Sequence, residues 1–181
     1  DMELQVPGEY DTIAEAIDAA EEGAVITIAP GSYQPAGTLD TLGKAIRIRG
    51  SVDADGTPTT ILDGRGTINL IACGSGEDSD TALENLVLSN GYNSVGGGAA
   101  SIDQSSPTFT NCTFTDNTAF MGGAIRLNGS IGLVVQQCTF TGNTSESLGG
   151  CLSGEYSSVD IRQCTFTDNS AVHTGGALYM V

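Results

Sequence analysis

Two loops of this 181-residue chain concentrate acid in a way that could support chemistry. Asp53 and Asp55 lie in 51-SVDADGTP-58, and Glu77, Asp78 and Asp80 lie in 74-GSGEDSD-80. Hard oxygen ligands of this kind suit calcium, and calcium beside an Arg or Lys base would suit cleavage of a polysaccharide. The basic residues available are Lys44, Arg47 and Arg49. Each group also has a plainer role. Acids in Gly-rich loops are commonly solvated turn residues, and Arg47 and Arg49 alternate with Ile46 and Ile48 as the outer face of a strand does. Calcium is thus a candidate ligand, and no cofactor is required.

Four further sets face the same test. Cys112, Cys138 and Cys164 recur every 26 residues, but none of the five cysteines forms a CxxC pair, so zinc is not expected. Thr113 and Thr115 recur as Thr139 and Thr141 and as Thr165 and Thr167. The single histidine, His173, stands beside a Gly-Gly pair with no evident partner. Asp116 and Asp168 are separated at the repeat distance by Gly142, which reads as avoidance of like charge.

The elements that would position these residues follow from the repeat. 111-NCTFTDN-117, 137-QCTFTGN-143 and 163-QCTFTDN-169 share one template, and 85-NLVLSNG-91 fits it with Leu for Cys and Phe. Leu88, Phe114, Phe140 and Phe166 form one apolar column, and Leu86 with the three cysteines another. Their alternation with threonine is the period-two pattern of a half-buried strand. A second strand follows the Gly pair (Ala100 and Ile102, Ile125 and Leu127, Leu152 and Gly154, Leu178 and Met180), and a third precedes the cysteine (Leu83, Phe109, Val135, Ile161). The inward parity slips between them, so a corner is expected at the amide column Asn85, Asn111, Gln137 and Gln163. Asn117, Asn143 and Asn169 are expected to supply left-handed backbone at the next bend.

Three short strands per ~26-residue coil make an all-β, right-handed parallel β-helix, the hand following from the usual crossover rule. The one convincing helix is 10-YDTIAEAIDAAEEG-23, with Thr12 and Glu15 as a capping box and Gly23 as its stop. A single domain is expected: residues 1–23 as an N-terminal strand and helix cap, 24–81 as irregular coils, and 82–181 as regular coils that end without a cap.

Stacking equivalent residues at ~4.8 Å would permit a disulfide between Cys112 and Cys138 or between Cys138 and Cys164, not both. Free buried thiols filling the core are the preferred alternative. The threonines would form a flat array spaced ~6.7 Å along the strand and ~4.8 Å between strands. That spacing suits an ordered lattice such as ice, while the β-propensity of threonine at an exposed strand position is the plainer explanation. Of the sequons 111-NCT, 128-NGS and 143-NTS, only Asn128 falls in a loop suited to a glycan.

With 22 acidic against 6 basic residues the chain carries −16, which argues against nucleic acid and anionic membranes. No apolar run reaches the length of a membrane span. An acidic surface with little cationic character fits an extracellular or cell-surface setting.

The run 6-VPGEYDTIAEAIDAAEEGAVITIAPGSY-33 resembles the N-terminal cap of the pectin-lyase-like right-handed β-helix superfamily. Phe114 to Asn117 with 122-GGAI-125, and Phe140 to Asn143, resemble the repeats of polymorphic outer-membrane adhesins. Gly149, Gly150, Cys151, Ala177 and Leu178 depart from that pattern. The resemblance implies a parallel β-helix and a function among lyases, hydrolases, adhesins and fibres. The hydrolase motifs Asn-Thr-Asp, Asp-Asp, Gly-His-Gly and Arg-Ile-Lys are absent from this sequence. The expected function is an extracellular structural or adhesive segment of a surface protein or self-assembling fibre. Its partners would be copies of itself or the rest of a longer solenoid, through the open C-terminal edge, and carbohydrate is a further candidate. A carbohydrate-active fragment is the alternative, and an ice-binding face the third.

Overall fold

The computed structural model describes residues 2–181. Every strand pairs in parallel with its equivalent in the next coil, so the chain winds as a solenoid of about seven turns. One seven-stranded sheet runs from Glu3–Val6 through Val25–Ile28, Arg47–Arg49, Ala82–Glu84, Thr108–Thr110 and Ile131–Gln136 to Ser158–Arg162. A second, six-stranded, runs from Gly31–Tyr33 through Thr60–Asp63, Leu86–Ser89, Thr113–Thr115 and Thr139–Thr141 to Thr165–Thr167. A third, also six-stranded, starts at Leu39–Asp40 and ends at Leu178–Met180.

These are the three expected walls. A fourth sheet adds to them, made of Tyr92–Asn93, Thr118–Met121, Thr144–Leu148 and Ser170–Ala171. Its strands are short and mostly polar, so they leave no apolar alternation in the sequence. It bulges between Ala119 and Met121, where the next coil carries one residue more.

The interior is built from columns. Phe114 and Phe140 stack with ring centroids 4.6 Å apart, and Phe140 and Phe166 at 5.0 Å, while Phe109 meets Phe114 edge-on at 5.5 Å. Such pairs contribute about 0.5–1.5 kcal/mol each beyond the area they bury. Cys112, Cys138 and Cys151 are buried, Cys164 is half-buried, and all five cysteines are free thiols.

The helix is Ile13–Ala19, with the Thr12–Glu15 capping box formed. It ends at Ala20 rather than at Gly23, because Ala20 leaves helical backbone (φ −65°, ψ 137°); Gly23 instead takes a left-handed turn (φ +81°) ahead of the next strand. Ile13, Ala16 and Ile17 are buried against the first coil. Lys44 donates from Nζ to the carbonyls of Ile17 (2.7 Å) and Asp18 (2.9 Å), closing the helix C-terminus.

The first amide column takes the corner expected of it, while the second does not take the left-handed place. Asn85, Asn111, Gln137 and Gln163 hold the left-handed corner, with φ between +50° and +56°. Asn117 and Asn143 are fully buried, and the left-handed place beside them goes to Asp116, Gly142 and Asp168 (φ +55°, +66° and +54°). The buried asparagines make a ladder. Nδ2 of Asn117 donates to Oδ1 of Asn143 at 2.9 Å, and Nδ2 of Asn143 to Oδ1 of Asn169 at 2.9 Å. Each Nδ2 also donates to the carbonyl of a residue one coil back: Leu88, Phe114 and Phe140. A corner turned toward the core carries orphan backbone groups, and the stacked amides satisfy them.

Candidate functional site

The acids of the two loops do not converge. Asp53 Oδ1 accepts from the amides of Asp55 (3.0 Å) and Thr57 (2.9 Å), and Asp78 Oδ1 from the amide of Asp80 (2.9 Å), so both cap their own turns. Among the described residues no three His, Cys, Asp or Glu side chains are grouped to share an ion. Glu77 is the exception to the solvated-loop reading, at 3% exposed. Its Oε1 accepts from Thr41 Oγ1 (2.7 Å) and the Gly43 amide (2.8 Å); its Oε2 accepts from the Ser75 amide (2.9 Å) and Ser105 Oγ (2.8 Å). It is a clamp joining three loops.

Burial pushes the Glu77 carboxyl up, but hydrogen bonds from Thr41, Ser75 and Ser105 outweigh it and hold it below the ordinary glutamate value. A depressed folded value gives stability that is present above the unfolded-state value and lost as pH falls through the folded one. Glu77→Gln places an NH2 against the Ser75 amide or the Ser105 hydroxyl. We expect it to cost about 1–3 kcal/mol near neutral pH and to flatten the acid limb of the stability profile, read by urea melts across pH.

The basic residues are engaged as well. Arg47 and Arg49 both pair with Glu84, Arg49 at 2.8 Å. Burial pushes the Cys73 and Cys151 thiols up to about 12, and mutual hydrogen bonding between neighbours in the column raises Cys138 and Cys164. These sulfurs stay protonated and are poor nucleophiles or metal ligands. The backbone of His173 donates to the Ser147 carbonyl at 3.0 Å. Asn111 Nδ2 is held by Asn85 Oδ1 (2.8 Å) and by the Gly56 carbonyl of the 51–58 loop (3.0 Å), so that sequon nitrogen is occupied. Asn128, the favoured glycan site, donates from Nδ2 to Asp103 Oδ1 at 2.7 Å.

The threonines are brought together. Thr113 pairs with Thr139 and Thr139 with Thr165, as Thr115 does with Thr141 and Thr141 with Thr167. The four in the inner coils are half-buried by one another and the two in the last coil are exposed. Phe114, Phe140 and Phe166 behind them hold the rows flat. The result is a block of six hydroxyls and six methyls, three coils tall, with Val87 in the coil before.

Beside this face, at the bend between the second and fourth sheets, the chain forms a polar cleft of about 510 Å³. Asp63, Arg65, Asn90, Tyr92, Asp116 and Thr118 line it. Three coils contribute through left-handed residues, Arg65 (φ +55°), Asn90 (+50°) and Asp116 (+55°), whose backbone turns the side chains outward. Asp63 Oδ1 accepts from the Arg65 amide and from Asn90 Nδ2, both at 3.0 Å, and these bonds hold its carboxyl below the ordinary aspartate value. Asp116 Oδ2 accepts from Thr115 Oγ1 at 3.0 Å. Its Oδ1 leans over Gly142, where a Cβ would come within 2.7 Å of it. Gly142 therefore makes room for Asp116, beyond separating it from Asp168.

Reading along the sequence misses this cleft because its members come from different coils. The available signal was 63-DGRG-66, where an insertion breaks the repeat and sets one arginine outside any apolar alternation.

A family model described as a right-handed β-helix region matches residues 44–180. No curated protein and no solved structure matches the chain.

Proposed function

The chain belongs to the right-handed β-helix family, and from that premise we propose that it is an extracellular structural or adhesive module acting through its outer faces. The observation that carries this reading is the threonine block, two columns wide and in register over three coils. A rigid hydroxyl and methyl lattice presents many weak contacts at fixed spacing and loses little entropy on meeting an ordered surface. The groups best suited to catalysis are engaged elsewhere: Glu77 in its clamp, Lys44 on the helix, Arg47 and Arg49 on Glu84. The charge of −16 favours neutral over acidic polymers as partners.

The test is retention on crystalline cellulose particles, compared with Thr139→Tyr, which puts a bulky ring in the middle of the block. Retention should fall about tenfold in the variant. Incubation with acidic polysaccharides, with and without calcium, should release no unsaturated or reducing ends. Turnover there, or retention that ignores Thr139→Tyr, would overturn the adhesive reading, turnover in favour of a carbohydrate-active one. The same register favours a second reading, an ice-binding face, for which thermal hysteresis lost in Thr139→Tyr is the evidence required.

A further inference from the structure

The turn at residues 41–45 ties the helix to the coils. Lys44 Nζ holds the carbonyls of Ile17 and Asp18, the Ala45 amide donates to Glu22 Oε2 (2.8 Å), and the Gly23 amide donates to the Ala45 carbonyl (2.8 Å). That turn is seated on Glu77. Oε1 takes both the Thr41 hydroxyl and the Gly43 amide, which has no other acceptor among the described residues. The rest of the seat is the Thr41 amide on the Ala72 carbonyl (3.3 Å) and Thr81 Oγ1 on the Lys44 carbonyl (3.0 Å). The opposite side depends less on the carboxylate. There the Ser106 amide donates to the Glu77 carbonyl at 2.7 Å and the Gly76 amide to Ser105 Oγ at 3.1 Å.

The Glu77 carboxylate faces four donors and pairs with no cation among the described residues. Lys44 is engaged on the helix. The other titratable groups on the elements packed around it have partners of their own. Asp40 takes the Leu42 amide (2.8 Å), Asp78 the Asp80 amide, Asp103 the Asn128 side chain and Glu22 the Ala45 amide, while Cys73 Sγ receives Thr41 Oγ1 at 3.4 Å. Asp18 and Asp80 are exposed. Over most of the surface acid relieves the chain, because protonation brings the charge of −16 toward zero and lessens self-repulsion. At Glu77 the sign is opposite. Its bonds are present above the unfolded-state value and are lost as pH falls through the lower folded one.

We infer that Glu77 is an acid-released latch on the N-terminal helix. A proton on the carboxyl displaces a donor from the 41–45 turn, Lys44 moves with the turn, and Ile13, Ala16 and Ile17 come off the first coil. The coils from residue 82 onward stay wound, since each coil contacts only its neighbours and a terminal unit opens by itself. This goes beyond the adhesive reading, because it concerns the cap and leaves the threonine block in place.

The experiment is amide NMR on the intact chain from neutral pH into acid, with exchange protection corrected for the intrinsic rate. The Gly43 and Ser75 amides should titrate together, with a midpoint below the ordinary glutamate value. Below that midpoint, protection at the Ala20 and Gly23 amides should fall at least about tenfold more than at Asn117 and Thr139. Glu77→Gln should show the lowered cap protection at neutral pH and no further step in acid. Thr41→Val keeps the shape and removes one donor, so it should raise the midpoint; this arm and the parent decide the matter even should Glu77→Gln not fold. Asp40→Asn keeps an acceptor for the Leu42 amide and should leave the step in place. Equal loss in cap and coils, a cap that stays protected below the midpoint, an unmoved midpoint in Thr41→Val, a step that survives Glu77→Gln, or one that vanishes in Asp40→Asn would each overturn the latch.

Discussion

Gly123→Ala should prevent the chain from folding. An added Cβ would lie 2.1 Å from the Gly150 carbonyl oxygen and 2.7 Å from that of Thr144. Both are backbone atoms of the next coil, fixed by ladders on either side, so neither can swing away as a side chain could. Gly98 and Gly150 sit in the same stack, their Cβ positions 2.4 Å and 1.9 Å from the carbonyl oxygens of Gly123 and Gly176. The seam is backbone packed on backbone. Opening it at one level separates strands of the third and fourth sheets together, which puts the cost beyond about 4 kcal/mol, the exceptional range for one substitution. That is most of the stability of a typical domain. Gly37→Ala is the control: nothing lies within 4 Å of its Cβ position, so the variant should be near neutral. Circular dichroism and urea melts compare the two. A folded Gly123→Ala protein within about 1 kcal/mol of the parent would refute the seam.

Asn143→Ala should destabilise by about 3–5 kcal/mol. Its amide group serves four hydrogen bonds, donating to Phe114 O and Asn169 Oδ1 and accepting from the backbone and side-chain nitrogens of Asn117. Truncation strands buried partners on both adjacent coils, and each orphan costs ~1–3 kcal/mol. The readout is local as well as global. The Asn117 amide, which donates to Asn143 Oδ1 at 3.2 Å, should lose protection from hydrogen exchange. The Gly91 amide, held one coil earlier by Asn117 Oδ1 at 2.8 Å, should lose less. Equal loss at both would mean that the ladder acts as a whole rather than by neighbours.

The columns of Leu88, Phe114, Phe140 and Phe166 were legible from the repeat because only an inward strand position selects the same bulky apolar residue four times. The capping box of the helix was legible for a similar reason: Thr12 and Glu15 satisfy a purely local requirement. Asn85 and Asn111 hold the corner expected of them, but Asn117, Asn143 and Asn169 form a ladder in place of left-handed turns, because Asn suits two opposite situations, exposed left-handed turns and buried ladders. Composition does not separate them; only parity relative to the core does. The loop acids looked alike in sequence, yet Glu77 is buried while Asp53 and Asp78 cap turns, because Thr41 and Ser105 come from the coils on either side to receive it. The corner cleft was illegible for the same geometric reason. Its residues are neighbours only along the stacking axis.

That axis has a further consequence. Each 26-residue coil advances the stack by only ~4.8 Å, about an eighth of the ~39 Å the same residues would span as a helix. The molecule is poor in reach and rich in perimeter. A new coil copied from an old one would add a rung to every column at once, the hydroxyl rows included, and leave existing rungs in place. Footprint can then be lengthened like a ruler, one graduation at a time, without redesigning what already grips.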